Sequence, residues 1–163
     1  MDFALSPPTA FAPALRSSRL EVEADYRAIL GNGAAIHLAE AIGQPAALVN
    51  EGRQVVFANH HFLEFVHAID VNAVLGMRLG ELLGCKHATG SLGGCGTHQS
   101  CRECTAITAI LHALDGTAET MDVELTVERT GTEEKLPFAI SAVPVRLQQR
   151  TLALLQFRTL ADD

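Results

Sequence analysis

Tryptophan is absent from this 163-residue chain, and Tyr26 is its single tyrosine. Aromatic residues make up 5% of the sequence against 48% hydrophobic residues overall, so the core is expected to be aliphatic. No run of Lys or Arg occurs. The 12 basic residues are scattered among 19 acidic ones for a net charge of −7, which argues against a nucleic-acid surface. No apolar stretch reaches the roughly 20 residues of a membrane-spanning helix. The opening MDFALSPPTAFAPALR has no basic residue ahead of its apolar part, so it does not read as a secretory leader, and the chain is placed in the cytoplasm. G-x-S-x-G, H-E-x-x-H, phosphate-loop and dinucleotide signatures are all missing, and an enzyme is not expected. Cysteine is absent from residues 1–84 and from 105–163. Every thiol, Cys85, Cys95, Cys101 and Cys104, falls in the single window GCKHATGSLGGCGTHQSCREC. In a cytoplasmic chain such a cluster points to metal or redox chemistry rather than to structural disulfides.

Three regions are expected. Residues 1–16, rich in Pro and Ala and without a clear period, read as a flexible tail. Residues 17–44 read as a helical segment. Ser18-x-x-Glu21 has the form of a capping box, with Val22, Tyr26, Ile29 and Leu30 behind it as an apolar stripe. Gly31-Asn32-Gly33 interrupts the pattern, and a second helix runs to about Ile42. This segment either packs on its own domain or pairs two copies of the chain. Residues 45–160 read as the main domain, with the cysteine-rich insert at 84–104.

Within that domain AALVN and QVVFAN form a hairpin across Glu51-Gly52-Arg53. HHFLEFVHAI follows as a helix with Phe62, Phe65, Val66 and Ile69 at helical spacing. Short helical pieces then break at Gly76, Gly80 and Gly84. Ser100-x-x-Glu103 has capping-box form and predicts a helix from Cys101 to Leu114. The remainder is β. Met121, Val123, Leu125 and Val127 alternate with polar residues and face inward, and Leu136, Phe138, Ile140 and Ala142 continue that phase. The apolar positions then shift to Val143, Val145 and Leu147, which predicts a bulge near Pro144. The plan is α+β: a five-stranded antiparallel sheet with helices on one face and an N-terminal helical extension.

The expected helix would put Cys101 and Cys104 on one face of its first turn, where the macrodipole favours thiolate. Cys85 and Cys95 sit among glycines, which allow close backbone approach. Together the four thiols are predicted to form one metal centre. An iron–sulfur cluster is the first filling considered. Its four-cysteine ligation has a known C-x4-C-x2-C spacing, and C-x5-C-x2-C is present here with a fourth cysteine upstream. Structural zinc is the alternative, held by all four cysteines, or by three of them with His87 or His98. A third filling is a metal-free Cys101–Cys104 dithiol. Covalent haem requires C-x-x-C-H, and Thr105 follows Cys104. Non-covalent haem on His112 is not expected. His60, His61 and His67 read as ordinary surface residues.

Two sets of residues resemble the PAS sensor domain. Val55-Val56-Phe57-Ala58-Asn59 before a helix looks like the second PAS strand and its Asn, and Val74-Leu75-Gly76 resembles the glycine step before the middle segment. More specifically, Gly84-Cys85-Lys86-His87-Ala88, Gly94-Cys95-Gly96 and Cys101-Arg102-Glu103-Cys104 resemble a bacterial PAS subgroup with that cysteine pattern. The resemblance covers about residues 45–159. It implies a sensory module whose cofactor reports redox state or a gas. Those relatives carry a histidine kinase after the domain. None follows here, which implies either a homodimer read in trans by a protein partner such as a kinase or regulator, or a piece of a longer chain. The competing function is a protein-interaction module whose metal only staples the loop.

Overall fold

A computed structural model of the protein describes residues 7–160. Its five strands are β1 (Ala46–Val49), β2 (Val55–Ala58), β3 (Glu119–Arg129), β4 (Thr132–Leu147) and β5 (Arg150–Thr159). They form one sheet in the order β2-β1-β5-β4-β3, and every neighbouring pair is antiparallel. Helices α1 (Arg19–Leu30) and α2 (Gly33–Ala41) precede the sheet. Between β2 and β3 lie α3 (His60–Phe65), α4 (Leu79–Leu83), α5 (Lys86–Thr89) and α6 (Thr105–Leu114), with 3-10 turns at Val71–Ala73 and Gln99–Glu103. The expected α+β architecture with a five-stranded antiparallel sheet is the one observed. Among the described residues no helix is long and apolar enough to cross a membrane.

The inward face of β3 follows the alternation of the sequence: Val123, Leu125 and Val127 are buried, while Asp122 and Glu124 are exposed. Phe138 and Ile140 of β4 and Leu155 and Phe157 of β5 join them. Helix α6 lies across this face on Ala106, Ile107, Ala109, Ile110 and Ala113, all buried. Its alanines let the helix axis approach the sheet closely, and its isoleucines supply the apolar area. The expectation of a wholly aliphatic core is corrected here. Phe62 and Phe65 of α3 meet Phe138 and Phe157, with ring centroids 5.2–6.0 Å apart between helix and sheet. The few aromatics are concentrated rather than dispersed, and offset and edge-on ring pairs of this kind add to the burial energy.

Asn59 caps α3 and is fully buried with its amide satisfied. Its Oδ1 accepts from the N–H groups of Phe62 (2.9 Å) and Ala46 (3.0 Å), and its Nδ2 donates to the carbonyls of Ala39 and Gln44 (both 3.0 Å). One side chain thus ties β1, α3 and the end of α2 together.

The Ser18–Glu21 capping box forms as expected. Val22 and Ile29 of α1 then pack with Val56, Phe57 and Leu152 on the sheet face opposite α6. Tyr26 stacks on Phe57, and Asp25 pairs with Arg150 at the β4–β5 turn. This second apolar layer explains the false bulge. β4 keeps unbroken register with β5 from Phe138 to Leu147, and Val145 and Leu147 pack against the α1 layer. The apolar positions change parity because the strand passes beneath α1, not because an extra residue is inserted. Two smaller expectations also differ. α3 stops at Phe65 and leaves Ile69 95% exposed, because His67 turns to φ 58°. Gly80 lies inside α4 rather than ending it.

The paired register sets a test. Phe138→Ala should lower the unfolding free energy by about 3–5 kcal/mol. Glu124→Ala, on the solvent side of the neighbouring strand, should stay within about 0.5 kcal/mol. Denaturant midpoints compare the two, and equal effects would contradict this facing of the sheet.

Candidate functional site

A cavity of about 430 Å³ opens between α4–α5, the following loop, the first turn of α6 and β3. Cys85, Cys95, Cys101 and Cys104 all line it, and so does His87. Cys85, Cys95 and Cys101 are buried, Cys104 is half-buried, and none is in a disulfide. Different local structures bring each thiol there. Cys85 caps α5 and is bridged to Val127 of β3. Cys95 rides on a loop turned by left-handed glycines on either side of it. Cys101 lies in the 3-10 turn and Cys104 caps α6. The thiols ring the cavity. Among the described residues no three His, Cys, Asp or Glu side chains converge at single-ion distance.

The helix start at Cys101 is corrected. His98, not Ser100, caps this stretch: its Nδ1 accepts the Ser100 N–H at 3.0 Å, and the turn it opens is 3-10. α6 begins at Thr105, behind Cys104. Cys101 and Cys104 still share a side, because residues three apart eclipse in a 3-10 turn. Cys104 now occupies the helix N-terminus alone.

His87 stacks on His98 with ring centroids 4.5 Å apart. Burial, then the neighbouring His98 and Lys86, hold its ring below the usual histidine range. His112 pairs with Glu119 and does not line the cavity, and His60 bonds Glu40 beside His61.

Burial pushes the Cys95 thiol up to about 12, and the proximity of Cys104, Cys101 and Cys85 adds to the shift. The Gly80 N–H, 3.3 Å from Cys95 Sγ, acts in the opposite direction. Cys104 is likewise raised by burial, opposed by the backbone N–H groups of Ile107 and Ala106 at the start of α6. Burial and the neighbouring thiols thus both favour the neutral form of Cys95 and Cys104. A cation held by the thiols would reverse that balance, because it would stabilise several thiolates at once.

Sequence reasoning missed the frame around the thiols. Gly80 is a contact surface: a Cβ there would stand 2.9 Å from Cys95 Sγ and 3.3 Å from Cys85 Cβ. The N-terminal stretch also frames the thiols. Its first six residues lie outside the described ones, but Ala10 and Ala12 donate to the carbonyls of Thr97 (2.8 Å) and Gly96 (2.9 Å). Ala12 and Ala14 are buried. From Ala10 to Leu15 the chain is a strap on the cysteine loop.

Arg78, fully buried, holds the strap from beneath. Its Nε donates to Gly52 O (2.7 Å), its Nη1 to Gly93 O (3.0 Å), and its Nη2 to Leu15 O (3.2 Å) and Ala14 O (3.3 Å). Burial, followed by repulsion from Arg53 and Arg16, lowers the Arg78 guanidinium to about 10. Glu81 pairs with Arg16 and accepts the N–H groups of Arg78 (3.1 Å) and Cys95 (3.2 Å). Burial raises the Glu81 carboxyl, and these hydrogen bonds outweigh it and hold the group below its ordinary range. One signal was available in the sequence. VLGMRLGELLG places a lone arginine within an apolar run, and such a residue is buried only where its donors are used.

Two measurements follow from this packing. Gly80→Ala should cost about 1–3 kcal/mol by overpacking, and less when introduced into Cys95→Ala, where the opposing sulfur is gone. Denaturation of the four proteins closes the cycle, and an unchanged cost in the double variant would contradict the contact. In metal-free protein at pH 8, Cys95 should resist iodoacetamide until the chain is unfolded, as read by mass spectrometry. Its alkylation at the rate of the denatured chain would contradict the burial.

Neither a family model nor a curated protein matches the sequence. Solved structures do. The PAS domain of nitrogen regulation protein NR(II) from Vibrio parahaemolyticus is 16% identical with a TM-score of 0.54, over 77% of this chain and 96% of that one. The PAS domain of a Colwellia psychrerythraea protein is 11% identical with a TM-score of 0.53, over 81% and 97%. One from Desulfitobacterium hafniense is 10% identical with a TM-score of 0.52, over 76% and 99%. The shared sheet and its crossing helices show that this chain has the PAS fold.

Proposed function

We propose that this protein is a cytoplasmic PAS-type sensory module. In this reading Cys85, Cys95, Cys101 and Cys104 bind one metal centre, an iron–sulfur cluster, whose redox or gas-dependent state is passed to a protein partner. The observation that carries the reading is that four cysteines, the only ones in the chain, come from four local structures to line one cavity. Cluster iron takes cysteine thiolates, and N–H groups directed at the sulfurs tune it. Gly80, Ile107 and Ala106 supply such groups here. The volume of about 430 Å³ far exceeds a water's share of about 30 Å³, so it has room for a polynuclear core. His87 lines the same cavity and is the substitute ligand in the zinc alternative.

The route outward begins at Cys104. It caps α6, which packs on β3, β4 and β5. A change of charge at that cap acts on packed side chains, which move between discrete arrangements rather than deforming smoothly. α1 and α2 carry Leu20 and Leu38 exposed at 74% and 70%, and we place homodimer contacts there. A regulatory role also accords with the similar domain of the nitrogen regulation protein.

Protein isolated without oxygen should be brown and contain iron and sulfide. Each of the four Cys→Ser variants should lose most of both. A colourless protein with stoichiometric zinc supports the structural alternative instead, and full metal content in all four variants contradicts a shared site. Hydrogen exchange on oxidised and reduced holoprotein then separates sensor from staple. Sensing predicts altered protection in β3 and in the strap, and identical protection in both states leaves only a structural role.

A further inference from the structure

The strand order leaves β3 at the edge of the sheet, and part of that edge is open. Glu124 lies opposite Pro137 of β4. Proline has no N–H to give, so this is a non-hydrogen-bonded pair, and the Glu124 N–H and C=O point away from β4. By the same alternation Asp122, Thr126 and Glu128 direct their backbone groups to the free edge. The chain itself covers both ends of this row. The Glu128 N–H donates to Gly84 O at 3.0 Å, beside the bridge between Cys85 and Val127, and Thr105 Oγ1 donates to Asp122 O at 2.7 Å. Between these anchors the N–H and C=O of Glu124 and the N–H groups of Asp122 and Thr126 have no partner among the described residues.

Space and charge describe what fits there. Residues 122–126 border the cavity, so the open edge faces free volume rather than packed chain. The antiparallel track beside Val127 ends where α5 begins at Lys86, which leaves the rest of the edge for another strand. Asp122, Glu124 and Glu128 are exposed on β3, and Glu103 is exposed at the cavity rim. The neighbouring cation, Lys135 of β4, is held by Thr126 Oγ1 at 2.8 Å. A second copy of this edge would bring these carboxylates against their own kind, which disfavours self-pairing. An added strand would set alternate side chains beside the carboxylates and the intervening ones over the cavity, where Val123 and Leu125 are apolar wall.

We propose that the open edge of β3 docks an extended segment of a protein partner by strand addition, a segment with Lys or Arg at alternate positions and small apolar residues between them. The unpaired backbone groups around Glu124 supply the hydrogen bonds, and the carboxylates beside them select a cationic strand. The proposal rests on the sheet and its charge and not on what fills the cavity, so it stands apart from the metal-binding reading above.

Glu124 provides the test, because charge and backbone separate there. A fluorescein-labelled peptide, Lys-Val-Lys-Val-Lys, is titrated with the full-length protein at low salt and followed by fluorescence anisotropy. It should bind saturably, and about tenfold or more tighter than the acidic counterpart Glu-Val-Glu-Val-Glu. Glu124→Gln removes the charge, keeps the edge N–H and should weaken binding about threefold. Glu124→Pro removes both without breaking the ladder to β4, and should weaken binding by about a further fivefold or more. Equal affinity in the Gln and Pro variants, equal binding of the two peptides, or no saturable binding overturns the proposal. Hydrogen exchange on the unsubstituted protein remains decisive if Glu124→Pro fails to fold. Saturating Lys-Val-Lys-Val-Lys should slow exchange at the Glu124 and Thr126 amides by about tenfold or more, and unchanged exchange at both overturns it.

Discussion

The burial of Arg78 organises this end of the molecule. A guanidinium can leave water only if its donors find acceptors, and no single element here supplies enough of them. The β1–β2 turn gives Gly52, the cysteine loop gives Gly93, and the strap gives Ala14 and Leu15. Three segments distant in sequence must therefore be present together, or the charge is left uncompensated. The loop carrying Cys95 has little secondary structure of its own, and this shared cation fixes its course past Gly80. Removing one partner of such a buried charged network costs far more than a surface contact, because the remaining partner stays desolvated.

The sheet and the thiol cluster join through α6. Its first residues border the cavity, and its alanine and isoleucine face lies on β3, β4 and β5. Cys85 makes a second connection through its bridge to Val127. The strap adds a third, running from the Cys95 loop to Ser18, where α1 begins. Chemistry at the thiols thus has short paths to both faces of the sheet.

Much of the fold was legible because short-range patterns dominate it. Ser18-x-x-Glu21 capped α1, Glu51-Gly52-Arg53 turned the hairpin, and the alternation of Val123, Leu125 and Val127 gave the facing of β3. What was not legible depended on neighbours distant in sequence. Val145 and Leu147 read as a phase shift because α1 above them could not be seen from β4 alone. Ser100-x-x-Glu103 has the letters of a capping box, but His98 two residues earlier takes the backbone N–H first. The thiols were found from their clustering alone. Arg53, Arg78 and the strap were not, since a buried arginine and a docked proline-rich segment look like surface features until their acceptors are located.

The central claim is that the four thiols surround one metal centre. X-ray absorption at the iron edge, on full-length protein isolated without oxygen, tests it directly. The account predicts iron bound by sulfur alone, with a short iron–iron vector from a polynuclear core. Iron coordinated by oxygen or nitrogen, or no iron in protein whose four thiols remain free, would contradict it.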